Sequence, residues 1–354
     1  MKLNDFTDMR NGRLIRIPSD YWAFVPHPLP PQLTLSWDLV HRLSEADRAL
    51  SELAGVARTL PNPHLLIGPF IRREAVLSSR IEGTQASLSD LFFFEASGTV
   101  DPKAPDVREV SNYVKAMEYG LARLKKFPVS LRLFRELHER LMIGVRGDHL
   151  TPGEFRRSQN WIGPAGCTLT EATYVPPPPD AMADALGSLE QYLHTPSPLP
   201  LLLRLAAIHY QFEAIHPFLD GNGRIGRLLI TLLLCGEEAL PAPLLYLSAY
   251  FERHRNEYYR LLLAVSQAGR WDEWIAFFLN GVAEQSKDAI SRSEQLLNLW
   301  QSYRATLQSA RSSALQLQLV DELFSYPAIT IGQAAKRLKV TQRSAQLNVE
   351  KLVR

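Results

Sequence analysis

Apolar residues recur at spacings of three and four along most of the chain, which is the period of an amphipathic α-helix. In the stretch from Ser130 to Gly144, the residues that share one helical face are Leu133, Leu137, Leu141 and Met142. Runs with the two-residue alternation of strands are few and short. The pattern therefore predicts an all-α, mainly helical fold.

The same spacing predicts the positions of further helices. They begin near Ser36 and about Pro69, cover Val107–Leu124, and continue from about Asp180 to Trp300. The first thirty-five or so residues are rich in proline, which predicts an extended arm.

The segment Gly153–Asp180 interrupts the helical pattern with Gly-Pro turns. Its runs NWI and TYV are typical of short strands, so we expect a β-hairpin over Asn160–Val175. The four prolines Pro176–Pro179 predict a stiff polyproline spacer after the hairpin.

The last segment, Thr330–Arg354, holds two short amphipathic stretches with helix-turn-helix spacing. Thr330 and Gln333 have the spacing of a capping box, and Thr341 can cap the second helix. A preceding helix, expected over about Ile290–Leu319, separates this module from the rest. We therefore expect an N-terminal arm with helices over 1–105, a core over 106–290, and a linker helix with the module over 291–354.

Composition and charge exclude several classes of protein. Hydrophobic residues make up 46% and charged residues 21% of the chain, and the formal net charge of +2 does not by itself indicate a nucleic acid or a membrane surface. The two cysteines, Cys167 and Cys235, are too few for a disulfide framework, and no secretory signal is visible, so a cytoplasmic protein is expected. The apolar run Leu228–Cys235 is far shorter than the roughly twenty residues of a membrane span.

The sequence HPFLDGNGRIGR, from His216 to Arg227, contains the glycine spacing G-x-G-x-x-G. In a dinucleotide-binding fold such glycines follow a strand, and an acidic residue lies about twenty positions further on. Here the segments on both sides have helical spacing, and no Asp lies near Tyr246. The glycines are therefore predicted to join two helices, and the free N–H groups of the second helix would favour an anion.

Groups suited to phosphate binding are dense in this loop. Gly221 and Gly223 permit left-handed or tighter backbone conformations that turn N–H groups inward, and Asn222 lies between them as an amide donor. Arg224 and Arg227 lie three apart on the second helix, where two guanidinium groups suit phosphates.

Two further residues of the loop suggest catalysis. Asp220 is a candidate Mg²⁺ ligand, and His216 can act as a general base at neutral pH. The plain alternative is a glycine-rich connection with a capping Asp and solvated arginines. The density of these groups within twelve residues favours a functional site.

The motif matches every fixed position of H-P-F-x-D/E-G-N-G-R-x-x-R, and the chain resembles the Fic-domain proteins over most of its length. The resemblance implies an adenylyltransferase that moves AMP from ATP to a hydroxyl group of a target protein and releases pyrophosphate. It implies that His216 is the base, that Asp220 holds the Mg²⁺ ion between the α- and β-phosphates, and that Arg227 reaches the γ-phosphate. The residues it implies for ATP binding in the loop are Asp220, Gly221, Asn222, Gly223, Arg224, Ile225, Gly226 and Arg227. The Gly-Asn-Gly sequence favours AMP transfer over phosphorylation.

By the same resemblance, the hairpin over Asn160–Val175 is a flap that holds the target segment by β-addition. The flap residues expected to contact the nucleotide are Glu171, Ala172, Thr173 and Tyr174. Tyr258 is expected to contact adenine. From the residues alone, an ordinary surface hairpin and a core tyrosine are the alternatives.

The sequence SSRIEG, from Ser78 to Gly83, resembles the inhibitory pattern S/T-x-x-x-E-G/N of this family. The resemblance implies that Glu82 pairs with Arg227, occupies the γ-phosphate position and inhibits the enzyme from a helix ahead of the core. It also leaves open that the same glutamate supports AMP removal. From the residues alone, the segment is a helix end followed by Gly83.

The C-terminal module is basic. Its basic residues are Lys336, Arg337, Lys339, Arg343, Lys351 and Arg354. Such a face can bind DNA, but protein interaction or dimerisation is favoured here, and a wing would be expected to begin at Arg354. The alternatives for the whole chain are an adenylyltransferase that modifies a target and itself, a nucleotide-sensing transcription regulator, and a Fic domain that mainly removes AMP or transfers another phosphate-containing group. A homodimer is common in the family.

Overall fold

The computed structural model describes residues 1, 3–17, 21–59, 64–101, 104–164 and 166–353. The α-helices in these ranges are α1 (Trp37–Thr59), α2 (His64–Ile81), α3 (Leu88–Ser97), α4 (Val107–Leu124), α5 (Leu131–Met142), α6 (Pro179–His194), α7 (Leu201–Ile215), α8 (Asn222–Gly236), α9 (Ser248–Arg253), α10 (Arg255–Ala268), α11 (Trp271–Ser309), α12 (Ala314–Ser325), α13 (Ile331–Leu338) and α14 (Gln342–Val353). Strands β1 (Gly12–Arg16) and β2 (Trp22–Pro26) pair antiparallel, with Gly12 opposite Pro26. The predicted mainly helical fold is confirmed.

Several helix ends follow from local sequence signals. At the start of α1, Ser36 Oγ accepts a hydrogen bond from the Leu39 N–H group at 3.2 Å. Helix α4 covers the predicted range, and α5 buries its predicted apolar face. Thr330 and Gln333 form the predicted capping box at α13.

Other element ends differ from the prediction. Helix α2 begins at His64, and Pro69, where a start was expected, lies inside it. The helix expected over Ile290–Leu319 is divided, because α11 continues to Ser309 and a capping box begins the separate helix α12. The proline-rich arm contains the extended strands β1 and β2, whose pairing was not predicted, and Phe24 of β2 packs into the core.

Helices α7 and α8 form the centre of the molecule and are buried on nearly all sides. They pack against each other, and α8 also packs against α4 and α5. The loop His216–Gly221 that connects α7 to α8 therefore meets residues from several elements. None of the helices in the described part of the chain combines the length and hydropathy that a membrane span requires.

The C-terminal helices α12–α14 have a small core of their own. Its buried members are Leu319, Ala334, Ala335, Leu338 and Ala345. The structure thus contains the predicted helix-turn-helix. The wing remains a prediction, and Arg354 lies outside the described residues.

The C-terminal module contacts α2 and α3. Two guanidinium groups lie close to the ring of Tyr326, with Arg72 at 5.0 Å and Arg337 at 3.4 Å from the ring centre. Arg72 also pairs with Glu95 at 2.7 Å, and Gln333 Nε2 donates to the Glu95 carbonyl oxygen at 3.0 Å. Helix α2 is therefore attached to this module through Arg72 at its middle, while its C-terminal end leads to Glu82.

Candidate active site

The connection between α7 and α8 is a short loop closed by its own side chains. His216 adopts a left-handed conformation (φ 50°), and its N–H group donates to the Phe212 carbonyl at 3.0 Å. Asn222 Oδ1 accepts from the Phe218 N–H group, and Asn222 Nδ2 donates to the Phe218 carbonyl, both at 2.8 Å. Gly221 has the expected left-handed conformation (φ 79°).

Two expectations about the loop are corrected. Gly223 lies inside α8 rather than in a left-handed turn, and its small size matters because a side chain there would collide with Glu82 and Arg227. The side-chain amide of Asn222 closes the loop through its oxygen and its nitrogen instead of standing free as a donor for an anion. The Ile225 side chain is fully buried in the core.

Helix α8 presents unpaired donors at its N-terminus. Its N-cap residue, Gly221, has no side chain with which to cap the helix. The first-turn N–H groups of Asn222, Gly223 and Arg224 have no acceptor within the helix, and the helix dipole adds partial positive charge there. This end of α8 is suited to a phosphate group.

The His216 ring is arranged to accept a proton. Its Nδ1 atom lies 3.3 Å from the Glu213 carbonyl oxygen. Because a carbonyl can only accept, we assign the hydrogen to Nδ1, which leaves the lone pair on Nε2. Burial, helped by the nearby Arg156 charge, lowers the pKa of His216 to about 4, so the ring is neutral at physiological pH.

Asp220 and Arg224 lie at the same end of α8. The Asp220 carboxylate accepts from the Gly221 N–H group at 2.6 Å and lies 3.7 Å from Arg224, yet its side chain is 37% exposed. Arg224 is buried and pairs with Glu109 of α4 at 3.1 Å, while its Nε atom has no partner among the described residues. A Mg²⁺ ion bound mainly by phosphates and water needs only one or two carboxylates, so the exposed Asp220 fits this role. No cluster of three or more His, Cys, Asp or Glu ligands occurs in the described ranges.

Two residues that the sequence analysis missed hold the loop from outside. Arg156 donates from its backbone N–H group to the Pro217 carbonyl and from Nε to the His216 carbonyl, each at 2.9 Å. His138 accepts from the Gly153 N–H group, so its Nε2–H donates to the Asp220 carbonyl at 3.0 Å. His138 and Arg156 lie 82 and 60 residues from the loop residues they hold, and no local sequence signal points to them.

Arg227 is tied to the end of α2. Its Nη2 atom lies 2.6 Å from the Glu82 carboxylate, and Ser78 accepts from Nε through its hydroxyl at 2.9 Å and from Nη2 through its carbonyl at 3.0 Å. Burial alone would raise the pKa of Glu82, but Arg227 outweighs it and holds the pKa below its usual range. Gly83 follows with φ 100°, as a residue after a helix end commonly does. The pairing expected of Glu82 and Arg227 is present.

The expected flap is less regular than a hairpin. Only Ile162 and Tyr174 form a bridge in the described part of this segment, and Glu171 caps a short 3₁₀ turn by accepting from Thr168. Tyr174 is buried and donates to the Ala214 carbonyl at 2.8 Å, which anchors the segment on α7. Of the four predicted contact residues, Glu171 and Thr173 are exposed, and Ala172 and Tyr174 are buried.

Tyr258 occupies a core position rather than a pocket wall. It is fully buried, and its hydroxyl lies 2.8 Å from His209 Nε2. His209 Nδ1 in turn lies 3.1 Å from the Gly226 carbonyl, so His209 donates there and accepts from Tyr258. This corrects the expectation that Tyr258 presents a face to adenine. The next residue, Tyr259, is 41% exposed.

Two family models match the chain. One, described as the Fic/DOC family N-terminal domain, matches residues 40–122, and the other, described as the Fic/DOC family, matches residues 128–234. Together they match more than half of the chain.

Curated relatives and solved structures resemble the chain in part. The protein adenylyltransferase Fic of Drosophila yakuba is 33% identical over 189 residues, which cover 51% of this chain and 34% of that protein. The protein of the same name from Drosophila erecta is 35% identical over 159 residues, covering 44% and 30%. The chain thus spans about a third of the length of these relatives.

The fold is also found in solved structures. A Fic family protein from Desulfovibrio desulfuricans G20 has a TM-score of 0.61 at 20% identity and 90% coverage of both chains. Fic-1 (residues 134–508) from C. elegans has a TM-score of 0.55 at 21% identity and 74% coverage of both chains. At these identities the likeness concerns the fold alone.

Proposed function

We propose that this chain, which belongs to the Fic/DOC family, transfers AMP from ATP to a hydroxyl group of a protein. The observation that carries the proposal is a neutral His216, with its lone pair on Nε2, in the loop that leads to the uncapped N-terminus of α8. The printed name of the Drosophila relatives supports the same activity and favours it over a nucleotide-sensing transcription regulator.

The ATP phosphates would bind at the N-terminus of α8. Backbone N–H groups of its first turn would donate to them, and the guanidinium groups of Arg224 and Arg227 would offset their charge. Asp220 would hold a Mg²⁺ ion together with the phosphates, and this ion would supply further positive charge. Little covalent help is needed in such a transfer, because positioning and charge neutralisation carry most of it.

His216 would move the proton. Its Nε2 atom would take the proton of the target hydroxyl as the hydroxyl oxygen forms a bond to the α-phosphorus. The bond between the α-phosphorus and the bridging oxygen breaks, and pyrophosphate leaves. The carbonyl of Glu213 keeps the hydrogen on Nδ1, and the bonds from Arg156 hold the His216 backbone in place.

Glu82 would inhibit this reaction. Its carboxylate holds Arg227, the residue proposed for the γ-phosphate, so ATP would have to displace Glu82 or bind with its α-phosphate out of line. The same carboxylate would be placed to orient water for AMP removal, which makes the reverse reaction part of the proposal.

The remaining parts of the proposal concern adenine, partners and location. The exposed ring of Tyr259 replaces Tyr258 as the candidate for stacking on adenine. The segment Asn160–Val175 would present the hydroxyl group of the target protein. In self-modification or in a homodimer, that target would be a second copy of this chain. Cys167 and Cys235 are both unpaired, which supports a cytoplasmic location.

Labelled ATP tests the proposal directly. With Mg²⁺, label at the α-phosphate should become attached to protein, and label at the γ-phosphate should not. The variant His216→Ala should lose about 10²–10⁴-fold in rate while its affinity for ATP, measured by calorimetry, stays nearly unchanged. His149→Ala, which changes an exposed histidine, is the matched control. Transfer by His216→Ala at the wild-type rate would contradict the role of the base.

The pH dependence of AMP transfer is a second test of the role of His216. The pKa of His216 is lowered to about 4, so its base form persists from neutral pH down to about pH 4 and is lost only below that. Transfer should therefore not fall between about pH 8 and pH 5 because of His216. A loss of activity with a midpoint near the ordinary histidine pKa of about 6.5, absent in a control for protein stability, would count against the assignment.

A further inference from the structure

Glu213 places a buried carboxyl oxygen that has no hydrogen-bond partner among the described residues next to Gly226 of α8. It lies in the last turn of α7, and its carboxyl group packs over Gly226 of α8, where any side chain would collide with it. Its Oε1 atom is buried and accepts no hydrogen bond within the described residues. A buried polar atom without a partner is costly, so its presence calls for an explanation.

Arg227, the residue next to Gly226, has a donor atom without an acceptor among the described residues. The side chain is almost completely buried, and its Nη1 atom is buried without a partner in the part of the chain that the structure describes. Nη2 is held by Glu82 and Ser78. One buried guanidinium group is thus paired with one carboxylate, and close enough to interact with its charge lies Glu213, whose Oε1 atom accepts from none of the described residues.

The charges around Glu213 explain why only one of the two acids is ionised. Burial raises the pKa of Glu213 to about 8, Arg227 acts to lower it, and the negative charge of Glu82 raises it further. The other titratable groups that interact with Glu213 are the hydroxyl groups of Tyr258 and Tyr259 on α10. At neutral pH Glu213 therefore carries a proton as long as another anion faces Arg227.

We propose that Glu213 is an alternative counterion for Arg227. The Glu213 carboxyl group ionises when neither Glu82 nor a phosphate group faces the Arg227 guanidinium group. The proposal rests on the nucleotide site described above. When Glu82 is withdrawn, Glu213 releases its proton to solvent and its carboxylate interacts with Arg227. When the γ-phosphate of ATP arrives, Glu213 takes a proton back from solvent and gives up Arg227. Glu213 is thus a positioning residue, because it acts through Arg227.

Calorimetry of ATP binding tests this exchange without a catalytic readout. In the variant Glu82→Gly, ATP binding at about pH 7 to 8 should take up protons, up to about one per site. The uptake is obtained by comparing binding heats in two buffers of different ionisation enthalpy. In Glu82→Gly with Glu213→Gln the uptake should fall by the share that Glu213 contributes, because glutamine cannot titrate. Protons released or bound by ATP itself cancel in this difference.

Two controls make the comparison specific. Glu82→Gly with Glu118→Gln removes another acid whose pKa burial raises, but which faces Arg72 instead of Arg227, and its proton uptake should equal that of Glu82→Gly. Wild-type protein should take up fewer protons than Glu82→Gly, because Glu82 already faces Arg227 before ATP binds. Equal uptake with and without Glu213→Gln would overturn the proposal.

A measurement without nucleotide separates this proposal from the proposed function. The folded-state pKa of Glu213 is raised to about 8, above its unfolded value of about 4.3, so its stabilising effect is complete below the unfolded value and is lost as pH rises through about 8. The thermal stability of Glu213→Gln should therefore decline less with pH between about 5 and 8 than that of wild type. In the Glu82→Gly background, the effect of Glu213→Gln should move to lower pH.

The outcomes are distinct. If Glu82→Gly binds no ATP, the proposed function fails, and the stability curves alone decide the role of Glu213. If Glu213→Gln leaves the pH dependence of unfolding unchanged in both backgrounds, Glu213 does not titrate as proposed and the inference is wrong.

Discussion

Two helix–turn–helix connections in this molecule have similar beginnings and different surroundings. The first helix of each ends at a residue other than glycine in a left-handed conformation, His216 after α7 (φ 50°) and Lys339 after α13 (φ 55°). The next helix is capped differently. At α14 the Thr341 hydroxyl oxygen accepts a hydrogen bond from the Ser344 N–H group, whereas α8 begins after Gly221, which has no side chain.

Burial widens this difference. The arginines that follow Gly221 are almost completely buried and paired with carboxylates from other segments, whereas Lys339 and Arg343 at the second connection are exposed. The backbone turn alone therefore does not define a site. An anion site needs the cap left open and the surrounding charges buried, because exposed charges are screened by water.

The largest expected effect in this comparison comes from releasing Arg227. Glu82→Gly should raise incorporation of AMP by about tenfold or more, since each 1.4 kcal/mol or so of relieved misalignment corresponds to about tenfold in rate. Glu82→Gly with Arg227→Ala should lose most of this gain. Glu238→Gly is the control, because Glu238 is exposed and already has φ 56°. A variant no faster than wild type would rule out inhibition by Glu82.

Removing the exposed carboxylate should affect the metal. Asp220→Ala should lose the increase in ATP affinity that Mg²⁺ gives, which calorimetric titration with and without Mg²⁺ would measure. Asp148→Ala, which changes another exposed aspartate, should keep that increase. If the increase persists in Asp220→Ala, another group holds the metal.

Changing the left-handed residues Gly221 and Lys339 should affect the free energy of unfolding differently at the two connections. Gly221→Ala should lower the free energy of unfolding by about 1–2 kcal/mol, because alanine is strained at φ 79° and its side chain would approach Met142. Lys339→Gly should not destabilise the module, since glycine adopts φ 55° without strain. Thermal unfolding of both variants checks this, and a stable Gly221→Ala would show that the loop tolerates a different backbone.

The smallest effect should come from the side-chain cap of α13, the first helix of the second connection. Thr330→Ala removes the side-chain acceptor at the start of α13 and should cost about 1 kcal/mol of stability. AMP transfer should not change. Thr306→Ala within α11 serves as the matched control for unfolding. A change in the rate of AMP transfer would instead indicate that the module influences the site.

Local sequence patterns predicted the helices and the loop well because their causes are local. Periodicity predicted α4 and the start of α1 near Ser36, a capping box predicted the start of α13, and a contiguous motif placed His216, Asp220 and Arg227 together. The pairing of Glu82 with Arg227 was predicted only through the resemblance to a family, since these residues are 145 apart in sequence.

The rest could not be predicted because it depends on contacts between distant segments. Arg156, His138 and Glu109 support the loop from other elements without any spacing that marks them. Helical period also could not separate Tyr258 from Tyr259, since neighbouring residues point about 100° apart and only packing decides which one is buried. Strands β1 and β2 were concealed by the surrounding prolines.

Helix α2 fixes the distance and the angle between two contacts through the number of residues that separate them. Arg72 contacts Tyr326 of the C-terminal module, and Glu82, just beyond the helix end, contacts Arg227. Inserting or deleting one residue between them would turn the carboxylate by about 100° around the helix axis and shift it by about 1.5 Å. Either contact could then be kept, but not both. A change of chain length that keeps both contacts would thus have to lie outside the segment from Arg72 to Glu82.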